Sequence, residues 1–323
     1  MAYPQMLRTW AWRQDWWKPI VGMPVLLVGT FVMAGFATLP ILAVAVAIQT
    51  GIDGTDFGTA FSQATSLKHV TPASMLWLNL TLASATLIAW ALARWLHHLS
   101  PKWLTSVKPG MRWRFFYACL GLAVVAIAAQ VVLSFFLPDS SSTGGGHLHH
   151  LTGQDVAIGV VILFTTPLQA IGEEYVFRGY LMQALGSLFG SWVAIIATSL
   201  MFAAAHGLQN FPLFFDRFAF GLLAGYLVVR SGGLEAGFAL HILNNYVAFG
   251  FALLFGNISS TLTVTDVSWW NLPLTVTQNI VFLVLVLAVA RRMGLRNRTA
   301  PPPAETSPTP AAGAPIPIGD GSA

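Results

Sequence analysis

Eight apolar stretches, at about 22–48, 73–96, 114–137, 155–185, 190–210, 213–230, 234–255 and 273–290, occupy most of the sequence. A spanning helix takes about 20 mostly apolar residues, and within lipid the backbone must satisfy its own hydrogen bonds, which leaves helices or closed barrels. Runs of this length predict an all-α integral membrane protein with about eight transmembrane helices. The fifth and sixth runs are the least regular, because Pro212 separates them and Asp216 and Arg217 sit near the junction. With 55% of residues hydrophobic and only 9% charged, the chain lies outside the composition of soluble domains and offers no basic surface for nucleic acid.

Charge placement sets the expected orientation. If the N-terminus is cytoplasmic and the runs alternate, the inner segments hold Arg8, Arg13, Lys18, Arg94, Lys102, Lys108, Arg112, Arg114, Arg178, Arg230, Arg291, Arg292, Arg296 and Arg298, or 14 of the 16 basic residues. Only Lys68 and Arg217 fall outside, while Asp53, Asp56, Asp139, Asp155 and Asp266 fall on or near outer loops. The positive-inside rule then predicts both termini in the cytoplasm of a multi-pass plasma (inner) membrane protein.

The chain divides into five expected regions. Residues 1–21 interleave Trp10, Trp12, Trp16 and Trp17 with Arg8, Arg13 and Lys18, a mixture suited to an interfacial amphipathic segment. Residues 22–154 carry the first three spans. Residues 155–255 concentrate the polar groups, 256–298 hold the last span and its basic flank, and 299–323 form a Pro- and Ala-rich tail unable to bury a core. The first run is too long for a signal-peptide core and reads as a retained span. Cys119 is the single cysteine, which excludes an intramolecular disulfide or a thiolate metal cluster. The tract 140–150 contains His147, His149 and His150 between glycines, without a carboxylate at a defined spacing, and reads as a flexible outer loop.

Ionisable groups inside a bilayer cost about 2.5–3.5 kcal/mol each and usually mark function. After residue 155 the census of such polar side chains gives Glu173, Glu174 and Arg178 in the fourth run, His206 in the fifth, and His241, Asn244 and Asn245 in the seventh. Glu174 and Arg178 are four residues apart and can pair on one helix face. Glu173 points about 100° away and lacks a local cation, the condition that suits a carboxylate to acid–base work. Counted from the loops at 1.5 Å per residue, Glu173 and His206 lie at nearly equal depth, and His241 and Asn245 share a helix face one turn apart. Each feature alone has a plain packing explanation: an interhelical polar contact for the histidines and Asn245, an ion pair for Glu174 and Arg178, and close helix approach for Gly172, Gly179, Gly207, Gly221 and Gly225.

The stretches G-E-E-Y-V-F-R-G at 172–179, F-A-A-A-H at 202–206 and H-I-L-N-N at 241–245 together resemble the CPBP intramembrane proteases, which include the Ras-converting CAAX prenyl endopeptidases and bacterial Abi proteins. The similarity covers residues 155–255. It implies an all-helical fold with a water-filled cavity facing the cytosol, an intramembrane endopeptidase activity on a membrane-associated peptide or protein, and a catalytic centre of Glu173, His206, His241 and Asn245, supported by Glu174, Arg178 and Phe202. In the expected mechanism Glu173, with His206, activates a water, and His241 and Asn245 stabilise the oxyanion. No cofactor is required; alternatively Glu173, His206 and His241 ligate a divalent metal such as Zn. A prenylated substrate does not follow, because twelve Arg against four Lys and abundant Ala suggest a GC-rich bacterial source. Competing readings are a transporter with an intramembrane polar path and a non-catalytic immunity or scaffold protein.

Overall fold

The computed structural model describes residues 1–8, 12–67, 69–138, 148, 150–255 and 258–301. His147, His149 and the tail beyond Pro301 lie outside this set. Among the described residues there are no strands, only isolated bridges between Ala2 and Arg298 and between Ser106 and Gly233. Seven helices among the described residues are long and apolar enough to cross a membrane: α1 Trp17–Asp53, α2 Pro72–Leu96, α3 Trp113–Ser134, α4 Gly153–Phe189, α6 Phe211–Ser231, α7 Glu235–Phe255 and α8 Asn271–Arg292. Between α4 and α6 lies the shorter apolar helix α5, Ser191–Ala205. Its 15 residues rise about 22 Å, less than a hydrocarbon core of about 30 Å. The chain is a multi-pass membrane protein.

The backbone N–H of Thr299 donates to Met1 O at 3.0 Å, so these two residues lie on one face of the bundle. A path between two points on one face crosses an even number of times, and the seven long helices among the described residues reach an even count only with α5 included. The loops on this basic face interlock. Val107 N–H donates to Gly232 O at 2.8 Å and Leu234 N–H to Thr105 O at 2.9 Å. Arg112 clamps the turn before α7, with Nε on Glu235 Oε1 at 2.7 Å and Nη1 on Ser231 O at 2.7 Å.

Residues 1–8, expected in the headgroup layer, instead fold under this face. Tyr3, Met6 and Leu7 are buried, Tyr3 donates its hydroxyl proton to Leu104 O, and Arg8 Nε donates to Ser187 O at 2.8 Å. Burying the apolar side chains of Tyr3, Met6 and Leu7 against the bundle favours this position. Trp16 and Trp17 remain exposed.

On the opposite face, Val70 N–H reaches Ser259 Oγ at 2.9 Å, Asn210 N–H reaches Thr265 O at 2.8 Å, and Asn210 Nδ2 reaches Val267 O at 2.8 Å. Helix pairs α2–α4, α5–α6, α3–α8, α6–α8, α3–α7 and α4–α7 make the principal packing contacts. Small residues set the closest approaches, as expected where lipid gives no hydrophobic drive between helices. A Cβ at Gly172 would collide with the Leu82 carbonyl of α2, and one at Gly221 would lie 2.8 Å from Ser199 Cα of α5. Gly207 is different: it sits at φ +85° in open space, ending α5 in a left-handed turn rather than packing a helix.

Candidate active site

Helix α4 carries both glutamates near its middle, just before the backbone widens into a π-helix over Tyr175–Leu181. Such irregularities often accompany functional sites. The two carboxylates take different surroundings. Glu174 is fully buried and accepts from Arg178 Nη1 at 2.9 Å. The Arg178 guanidinium, also fully buried, lies 4.2 Å from the Phe202 ring centroid and 5.1 Å from that of Phe220, so aromatic faces complete its enclosure. The side chain of Glu173 keeps 14% of its surface accessible.

His241, on α7, links the two acids. Its Nδ1–H donates to Glu174 Oε1 at 2.9 Å, and its Nε2 lies 3.4 Å from Glu173 Oε2. A neutral imidazole has one N–H, so satisfying both contacts takes one proton beyond a neutral ring and two carboxylates. Helix α7 can come this near because residue 237 is glycine: a Cβ there would stand 2.7 Å from Glu174 Oε2.

Gln169, one turn before Glu173, donates from Nε2 to Glu173 Oε1 at 2.6 Å and accepts from Asn245 Nδ2 at 2.9 Å. Asn245 therefore reaches Glu173 through an amide relay. Asn244, its neighbour, accepts instead from Gln278 Nε2 of α8 at 2.7 Å.

His206 caps the far end of α5. Its Nδ1–H donates to Phe202 O at 2.8 Å, which fixes the tautomer and leaves Nε2 free of protein partners among the described contacts. It makes no direct bond to Glu173, although the charges of Glu173 and Arg217 both act on it. Phe202 organises the cluster, with ring centroids 5.2 Å from Phe177, 4.8 Å from His206 and 5.8 Å from His241.

Glu173, His206, His241 and Asn245 line one cavity of about 450 Å³, within the range of ligand sites. Other lining residues are Asn79, Gln169, Asp216, Arg217 and Gln278. Asn79 brings a polar group to the cavity from α2, and its Nδ2 donates to Thr165 Oγ1 at 2.8 Å. The sequence census passed over Gln169, whose signal was its spacing of one turn from Glu173.

Among the described residues no three His, Cys, Asp or Glu side chains are arranged to hold a metal ion. In the alternative set of Glu173, His206 and His241, both ring nitrogens of His241 already face carboxylates.

Residues 155–247 match the family described as type II CAAX prenyl endopeptidase Rce1-like. A Bacillus subtilis (strain 168) protein, "Uncharacterized protein YyaK", is 26% identical over 191 residues, covering 55% of this chain and 62% of that protein. An "Uncharacterized 24.3 kDa protein" of Escherichia coli is 33% identical over 105 residues, 32% of this chain and 46% of the relative. Each match thus spans less than two thirds of the relative. No solved structure matches the chain. The matched segment, residues 155–247, contains all four residues around the cavity and all three motifs, and it is this part of the chain that is similar to the Rce1-like CAAX prenyl endopeptidase family.

Proposed function

We propose that the protein is an intramembrane endopeptidase that hydrolyses a peptide bond of a membrane-associated substrate, with Glu173 as general base. The observation that carries this reading is the division between neighbouring acids: Glu174 is neutralised by Arg178 out of reach of solvent, while Glu173 opens onto the cavity. A water between Glu173 and the free Nε2 of His206 loses a proton to the carboxylate as its oxygen attacks the scissile carbonyl carbon. The carbonyl electron pair moves onto oxygen. As Glu173 takes up the proton, its hold on His241 Nε2–H weakens, and that N–H together with the Asn245 amide turns to the oxyanion. When the C–N bond breaks, Glu173 passes its proton to the leaving amine. Gln169 positions Glu173 and Asn245 relative to each other.

This scheme uses no resident metal. Cleavage is expected to survive exhaustive chelation; complete loss restored by Zn would overturn the metal-free scheme. The primary test compares the membrane peptides and proteins of cells carrying the intact chain or Glu173→Gln. The near-isosteric change removes the base and should slow product formation by about 10²–10⁴-fold with normal membrane insertion. Identical cleavage products at identical rates would sink the protease reading.

A further inference from the structure

We infer that Arg217 forms a carboxylate-binding subsite of the cavity and grips an acidic group of the substrate, either the free carboxylate of a chain end or an Asp or Glu side chain. The word substrate rests on the protease reading; the binding itself does not.

Asp216 and Arg217 lie in the second turn of α6, about 9 Å along the helix from Phe211. Both line the cavity, and neither has a part in the hydrolytic scheme. Ionisable side chains within a span are costly and usually mark function. A pair of neighbours that only neutralised each other would leave both groups satisfied, and here one is not.

Asp216 is fully engaged. Its Oδ1 accepts from Thr275 Oγ1 of α8 at 2.5 Å, and its Oδ2 accepts from Arg217 Nη1 at 3.0 Å. Arg217 spends only Nη1 on this contact, while its Nε is buried without a protein partner among the described residues. A third of the side chain stays accessible. The guanidinium is a planar fork whose Nε–Nη2 edge fits a carboxylate through two parallel N–H bonds. With Nη1 held by Asp216, and Asp216 held by α8, that edge is the one left for a ligand. A carboxylate that meets Nη2 at the cavity and draws Nε alongside it removes the cost of a buried donor without an acceptor.

The same cavity holds an unpartnered atom of the opposite kind. Gln209 Oε1 is a buried acceptor with no donor, while Gln209 Nε2 donates to His206 O at 3.3 Å. An open acceptor and an open cationic donor together suit a peptide, which offers a backbone N–H to Gln209 and a carboxylate to Arg217. The charges of Arg217 and Glu173 both act on His206, and all three side chains line the one cavity of about 450 Å³. One short peptide segment can therefore reach the subsite and the reacting carboxylate together.

The test is binding to the purified full-length Glu173→Gln protein in detergent, which needs no turnover. Three peptides are titrated by calorimetry: acetyl-Val-Ala-Leu with a free C-terminal carboxylate, the same peptide as its C-terminal amide, and acetyl-Val-Glu-Leu amide. At least one of the two acidic peptides is expected to bind about tenfold or more tightly than the neutral amide, as a charged hydrogen-bonded contact should give. Preference for the free acid assigns the subsite to a chain end; preference for the Glu peptide assigns it to an acidic side chain. Adding Arg217→Gln should abolish the preference. Arg217→Lys, which keeps a cation beside Asp216 but lacks the fork, should lose most of it and serves if Arg217→Gln folds poorly. Equal binding of the three peptides, no binding of any at millimolar concentration, or a preference undiminished in the Arg217 variants overturns the inference. Unchanged cleavage in cells carrying Glu173→Gln counts instead against the protease reading, so the two failures are distinct.

Discussion

Two adjacent glutamates differ in fate because of one turn of helix. Glu174 meets Arg178 at i+4 and is sealed beneath Phe202 and Phe220, whereas Glu173 meets Gln169 at i−4 and faces water. Removing one partner of a buried pair strands the other charge at about 3–5 kcal/mol, while replacing both by neutral groups costs much less. Arg178→Met is therefore expected to lower the unfolding midpoint in detergent sharply, and adding Glu174→Gln should restore most of the loss. A double-mutant cycle on thermal melts measures this. The identity of the pair was legible from spacing alone. The Gln169 relay, the approach of Gly237 and the contact of Asn79 with Thr165 were not, because a lone amide or glycine in an apolar run carries no record of which helix it will face.

At the level of elements, the end of α2 is tied to α4 by a hydrogen bond between His97 Nε2 and the Tyr180 hydroxyl, 2.7 Å long. His97 lies just beyond the span. Burial, with Lys18 nearby, pushes its imidazole down to about 4, below the ordinary value of about 6.5. The folded protein thus holds a neutral ring where the unfolded chain would take up a proton. The cost is absent above about pH 6.5 and grows as pH falls toward 4, reaching roughly 3 kcal/mol. Melting in detergent should show this decline between pH 7.5 and 4.5, and His97→Gln should flatten that part of it. Hydropathy located all eight apolar helices because each is a long statistical signal. It marked the fifth run as irregular, in line with the shortness of α5, but did not reveal the π-helix over 175–181, which depends on how neighbouring helices pack.

For the molecule as a whole, counting depth from loops at 1.5 Å per residue puts Glu173, His206, His241 and Asn245 at similar depth, and the four do line one cavity. α4 runs 37 residues, about 55 Å, against a hydrocarbon core of about 30 Å, so counting along it does not fix depth without knowing its tilt or overhang. The orientation expected from charge is a long-range property that does not depend on packing.

The contact between Met1 and Thr299 also bears on biogenesis. During synthesis the first residues leave the ribosome long before their partners around Arg298, and Tyr3 must await Leu104 as well. The N-terminal strap's contacts with Leu104, Ser187 and the end of α4 can form before α8 is made, whereas those of Met1 and Ala2 with Thr299 and Arg298 cannot. The pairing of Met1 and Ala2 with the segment after α8 is thus the last step in closing this face of the bundle.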